Sequence, residues 1–76
     1  MQIDFYTGPH CSLCDDALAL LQAVNQPDLI INKCNIKDNT QWFHLYAVRI
    51  PVLKRKDSGR ELGWPFNLDE LRQFLS

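Results

Sequence analysis

Two cysteines stand three residues apart in Cys11-Ser12-Leu13-Cys14. Two kinds of chemistry use such a pair. A thiolate beside a second thiol exchanges disulfides, and the same two sulfurs can hold zinc or an iron–sulfur cluster. The surroundings give the pair an asymmetry. It follows a short apolar run, Ile3 to Tyr6, and the loop residues Thr7-Gly8-Pro9, and it opens a segment of helical periodicity. Cys11 therefore falls at a helix N-terminus, where unpaired N–H groups and the positive end of the dipole favour a thiolate. Cys14 falls on the apolar stripe of the same helix with Leu18 and Leu21, where its sulfur is sheltered. For disulfide exchange this makes Cys11 the attacking sulfur and Cys14 the one that resolves the mixed disulfide. His10, when protonated, would lower the pKa of Cys11, or it is simply a solvated loop residue. Asp15 and Asp16 act in the opposite sense, so a modest depression is expected.

A metal-binding module is the second possibility. Cys11, Cys14 and Cys34 with His10 or His44 could supply four ligands for zinc, and the Cys11–Cys14 pair could share a cluster between subunits. Structural zinc sites usually show two close-spaced pairs, and here there is one. A redox-inactive domain that only binds a partner is the third possibility. Cys34 itself, near the end of an apolar run, reads as a small buried hydrophobe before it reads as a third redox thiol.

The elements that position these residues follow from periodicity and punctuation. Ile3–Tyr6 is a strand, and Ser12 to about Asn25 is an amphipathic helix with acids in its first turn. Leu29–Ile36 is a second strand. Asp38 with Gln41 resembles a capping box that opens a helix to about Ala47, on which Trp42, Phe43 and Tyr46 are expected to be core. Ile50–Leu53 begins a third strand, and Asp57-Ser58-Gly59 is a three-residue hairpin loop with Gly59 in a left-handed position. Arg60–Gly63 is a short fourth strand. Asn67 with Glu70 caps a last helix lined by Leu68, Leu71, Phe74 and Leu75, with Phe66 stapled to Leu71. The order β-α-β-α-β-β-α demands a parallel crossover and then an antiparallel hairpin. The expected fold is α/β, a mixed four-stranded sheet flanked by helices.

Seventy-six residues make one domain, 1–76, with no room for a second core. A hydrophobic fraction of 46% excludes compositional disorder. A net charge of −1 argues against a nucleic-acid or membrane-surface partner. No apolar run reaches the roughly 20 residues of a membrane span, and the first residues lack the features of a secretory signal. An odd, small number of cysteines fits a reducing compartment, so a cytoplasmic monomer is expected. Arg49, Lys54, Arg55, Lys56 and Arg60, five of the eight basic residues, gather around the hairpin. They read as a solvated face or as a surface for an acidic partner.

Taken together, Thr7-Gly8-Pro9-His10-Cys11-Ser12-Leu13-Cys14, Leu45 to Leu53 with Ile50-Pro51-Val52, and Gly59-Arg60-Glu61-Leu62 resemble the glutaredoxin-like branch of the thioredoxin superfamily over essentially the whole chain. The resemblance implies a thioredoxin-like fold and a dithiol oxidoreductase with a redox-active disulfide as its only cofactor. It implies a protein or small-molecule disulfide as substrate, and a thiol or a reductase as electron donor. It also implies a cis Ile50–Pro51 bond beside the sulfurs, a point the residues alone do not decide. The backbone groups of Ile50 would then be free to bind extended substrate, with His10 and Trp64 near the same groove. For Trp64 a core position is the alternative. The family's glutathione users carry a basic residue just before the motif, where this chain has Pro9 and His10. They also carry an Asp in the turn where this chain has Phe66. Gly63-Trp64-Pro65-Phe66-Asn67 is more similar to small bacterial glutaredoxin-like domains, so glutathione dependence is expected to be weak.

Overall fold

A computed structural model describes residues 1–76. The chain runs through β1 (Gln2–Thr7), α1 (Ser12–Ala23), β2 (Ile30–Asn35), a short 3-10 turn (Ile36–Asp38), α2 (Thr40–Tyr46), β3 (Val52–Arg55), β4 (Glu61–Gly63) and α3 (Leu68–Leu75). The four strands form one mixed sheet in the order β2-β1-β3-β4. β1 lies parallel to β2 and antiparallel to β3, and β4 is antiparallel to β3.

Alternation along the strands divides the core into two. Ile3 and Phe5 of β1 and Leu53 of β3 point to one face, where Cys14, Ala17 and Leu21 of α1 and Leu71, Phe74 and Leu75 of α3 cover them. Tyr6 and Val52 point to the other face and pack with Cys34, Ile36 and Tyr46. Helices on both sides bury the sheet's centre, the layering expected from the order of elements.

Several boundaries differ from the periodicity, each for a local reason. α2 is capped by Asn39, not Asp38; the Asn39 carboxamide oxygen accepts from the N–H groups of Gln41 and Trp42 at 2.9 and 3.3 Å. Asp38 instead ends the 3-10 turn, which Asn35 caps by accepting from the Lys37 N–H. Phe43 is not core: it is 48% exposed. Trp42 and Tyr46 are four residues apart and share a face toward Tyr6, while Phe43 is rotated away by about 100°. β3 begins at Val52, after Pro51. The hairpin loop takes in Lys56, since Arg55 N–H donates to the Arg60 carbonyl and Gly59 N–H to the Arg55 carbonyl. Gly59 has φ 75°, the left-handed geometry the turn requires. The capping box of α3 is complete, with Glu70 N–H to Asn67 at 2.8 Å and Asn67 N–H to Glu70 at 3.1 Å. Phe66 and Leu71 are both buried in the same cluster, as a staple needs.

Candidate functional site: a disulfide at one end of the sheet

The sheet register brings the relevant segments to one end. Tyr6 of β1 pairs with Val52 of β3, and Val52 pairs with Gly63 of β4. The chain therefore leaves β1 toward Cys11, enters β3 from Ile50-Pro51, and leaves β4 toward Trp64, all at the same edge.

Between β1 and α1 the turn is made by His10, exposed and with φ 57°. A left-handed residue is what hands an extended strand sharply into a helix, and His tolerates that geometry better than most side chains. Cys11 follows as the N-cap of α1. Its Sγ accepts from the Cys14 N–H at 3.1 Å and its carbonyl accepts from the Asp15 N–H at 3.3 Å. Cys11 and Cys14 are joined as a disulfide with Cα atoms 5.2 Å apart. The two sulfurs differ in environment: Cys14 is 4% exposed within the α1–α3 cluster, whereas Cys11 is half-buried at its margin. A helix N-terminus that aims an N–H at Cys11 stabilises negative charge on that sulfur once the bond is reduced.

Gly8 is where the Cys11 loop meets the Ile50 loop. A Cβ at this position would lie 3.0 Å from Ile50 Cδ1 and 3.7 Å from Ile36 Cγ1, so a larger residue here would need the tip of the Ile50 side chain to give way. The Ile50–Pro51 peptide is cis, and Pro51 is fully buried. The Pro51 carbonyl accepts from the Trp64 N–H at 3.1 Å, which ties the turn after β4 to this edge. Trp64 is half-buried and stands edge-on to Phe66, ring centres 5.1 Å apart, so its ring is partly core and partly surface. Trp64–Pro65 is also cis. Nothing in the residues signals this second cis bond, because a Trp-Pro dipeptide before a helix cap reads only as an extended or turn segment.

One expectation for Ile50 is corrected. Its N–H is not free: it donates to the Tyr46 carbonyl at 3.0 Å, continuing the last turn of α2. The Ile50 carbonyl takes no such intramolecular bond.

The remaining candidates lie elsewhere. Cys34 pairs with Tyr6 in the β1–β2 ladder and so lies on the face opposite Cys14. Its S–H points to the Asn32 carbonyl, and burial, followed by the Asp4 carboxylate, pushes its pKa up. His44 is exposed on α2 beside Phe43. No three His, Cys, Asp or Glu side chains come close enough to share a metal ion, so the four-ligand zinc arrangement does not assemble. The basic cluster is largely paired within the molecule: Arg49 with Glu61 at 3.0 Å, Arg55 with Asp57 at 2.6 Å, and Lys56 with Asp4 at 3.7 Å. A recess of about 320 Å³ lies beside α2, lined by Ile36, Lys37, Asn39, Thr40 and Phe43; none of the disulfide-end residues lines it. No helix is long and apolar enough to cross a membrane.

Sequence reasoning missed a group next to this edge. The Tyr46 hydroxyl donates to Glu61 at 2.7 Å, and the Arg49 guanidinium donates to the other oxygen of the same carboxylate at 3.0 Å. Arg49 also lies 5.4 Å from the centre of the Tyr46 ring, which stacks on Tyr6. Burial and the Glu61 carboxylate hold the Tyr46 hydroxyl well above the usual phenol range, and the Tyr46 hydrogen bond holds Glu61 below its ordinary value. The only sequence signal is three ordinary residues at unrelated spacings.

Comparison with known proteins adds three findings. No protein with a curated description matches the chain. Among solved structures, the X-ray and solution structures of a structural genomics target, XcR50 from X. campestris, are 33% identical, with TM-scores of 0.84 and 0.83. They cover 96% and 99% of this chain, and 93% and 92% of theirs. Thioredoxin 1 from the thermophilic eubacterium Thermosipho africanus is 19% identical with a TM-score of 0.69, covering 99% of this chain and 94% of its own, a likeness of fold. Residues 2–76 match the model of the Glutaredoxin-like domain (DUF836). The chain with its Cys11–Cys14 bond at the head of α1 thus belongs to the glutaredoxin-like domain family, on a thioredoxin-like fold.

Proposed function

We propose that this chain is a dithiol thiol–disulfide oxidoreductase. One observation carries the reading: two bonded cysteines span the first turn of α1, with the accessible one as its N-cap and the other in the core. In the reduced protein the Cys11 thiolate attacks one sulfur of a substrate disulfide. A Cys11–substrate bond forms, the substrate bond breaks, and the leaving sulfur takes a proton. The Cys14 thiolate then attacks Cys11, the second substrate thiol leaves, and the protein holds the disulfide. Two electrons have passed to substrate, and a donor thiol or a reductase returns them by the reverse exchange. Ile50 and Pro51 form the docking edge in this reading, with Trp64 and His10 at its borders. The substrate is a disulfide-bearing protein or small molecule, and a reducing compartment such as the cytoplasm suits the cycle.

The test is to mix the reduced protein with a peptide carrying one internal disulfide and follow thiol release. Wild type should reduce the peptide, Cys11→Ser should not, and Cys14→Ser should accumulate a mixed disulfide with the peptide. Glutathione-mixed disulfide should be a poorer substrate than the peptide, because Phe66 offers no carboxylate to glutathione's amino group. No thiol release by wild type would overturn the reading, and tightly bound metal in freshly purified protein would replace it.

A further inference from the structure

Glu61 stands in the first position of β4, opposite Lys54, and its carboxylate is shared by two residues of one segment. Tyr46 is the last residue of α2 and Arg49 lies three residues on, one before Ile50. Between them the Tyr46 carbonyl accepts from both the Arg49 N–H at 2.8 Å and the Ile50 N–H at 3.0 Å. The segment is therefore a closed turn whose side chains at both ends are fixed to β4 by one carboxylate. The Tyr46 ring, stacked on Tyr6 at 4.1 Å, anchors the same turn to β1. No comparable bond ties Val48, which is 99% exposed at the tip.

We propose that Glu61 is a positioning residue for substrate: by gripping Tyr46 and Arg49 it keeps the turn shut, so that substrate main chain docks on the Ile50 carbonyl while the Ile50 amide stays occupied. This rests on the oxidoreductase reading for its substrate, though not for the clamp itself. Docking by one backbone group makes the orientation of the Ile50 carbonyl decisive, since no second bond from the same residue corrects it. Without Glu61 the turn loosens, the Ile50 amide opens to water, and the carbonyl is presented over a wider range of angles. Chemistry at the sulfurs is untouched, because Glu61 contacts neither cysteine.

The experiment compares wild type with Glu61→Ala and with Tyr46→Phe, which keeps the stacked ring and removes only the hydroxyl. Amide hydrogen exchange on the oxidised protein reads the clamp directly. Ile50 should exchange about ten-fold faster in either variant, in line with a lost hydrogen bond to a charged group, while Leu53 is unchanged. Single turnovers of the reduced protein with the disulfide peptide read the docking. The half-saturating peptide concentration should rise about five-fold with the limiting rate unchanged, and iodoacetamide should label Cys11 at the wild-type rate. Adding Tyr46→Phe to Glu61→Ala should change little further, because the hydroxyl has then already lost its acceptor. Unchanged exchange at Ile50 in both variants overturns the clamp. Faster exchange with unaltered half-saturation overturns its role in docking. A wild type that reduces no peptide overturns the oxidoreductase reading instead, and hydrogen exchange at Ile50 then decides the clamp by itself.

Discussion

Cys14 is held by the core and Cys11 by a helix end, and the two positions set different reactivities for one residue type. In the reduced protein limited iodoacetamide should modify Cys11 first, as read by mass mapping. Cys34 should be slow on two counts, burial and a thiol pKa that burial and Asp4 push up. Preferential labelling of Cys34 would contradict the geometry. Glu61 gives a second expectation, in acid. Its carboxyl is held below its ordinary value, first by the Tyr46 hydroxyl and then by Arg49, so the unfolded chain binds that proton more readily than the folded one. The stability it contributes is complete above the ordinary glutamate pKa of about 4.3 and is lost as the pH falls through the lowered folded value. Thermal melts of wild type and Glu61→Gln should therefore converge as the pH is lowered through that window. Parallel curves would show that Glu61 titrates elsewhere.

Local rules position most of the elements, and the exceptions have identifiable causes. Asn67 and Glu70 could be read as a cap because the reciprocal bonds need only residues three apart, and the structure makes both bonds. Asn67→Ala should cost about 1 kcal/mol, a fall in Tm of about 4–8 °C for a domain this size, measurable by calorimetry. α2 is harder to place. Asp38 and Asn39 are both good caps, and the choice depends on the 3-10 turn that consumes Asp38, which no periodicity signals. The disulfide end was legible in part. Cys11 and Cys14 announce themselves by spacing and by the helix they open. That Gly8 abuts Ile50, or that Pro51 accepts from Trp64, depends on strand register across the sheet. The Tyr46–Glu61–Arg49 group was invisible for the same reason: Glu61 reaches Tyr46 only because β4 folds back on β3. The hairpin also reaches forward, since Arg55 donates to the Phe74 and Ser76 carbonyls at 2.8 Å and so ties the end of α3 to β3.

Only 16 of the 76 residues are buried, so single constraints weigh heavily on the molecule. The Cys11–Cys14 bond is one of them, but it closes a very short loop. Chain-entropy reasoning then gives it at most about 2 kcal/mol. Reduced protein should melt below oxidised protein by about 8–16 °C at most and keep its far-ultraviolet circular dichroism. Collapse of the secondary structure on reduction would make the disulfide structural, not a working part. The placement of Cys34 across the sheet has a further consequence. In an unfolded chain any two of the three cysteines could pair, and the cycle proposed above would expose the protein to the wrong partner at every turn. Here the side chains of Cys34 and Cys14 lie on opposite faces of the sheet, so a scrambled isomer can form only if the sheet opens. Under the proposed cycle the fold would enforce fidelity: each return to the oxidised state would recover the same Cys11–Cys14 bond, with Cys34 left out of it.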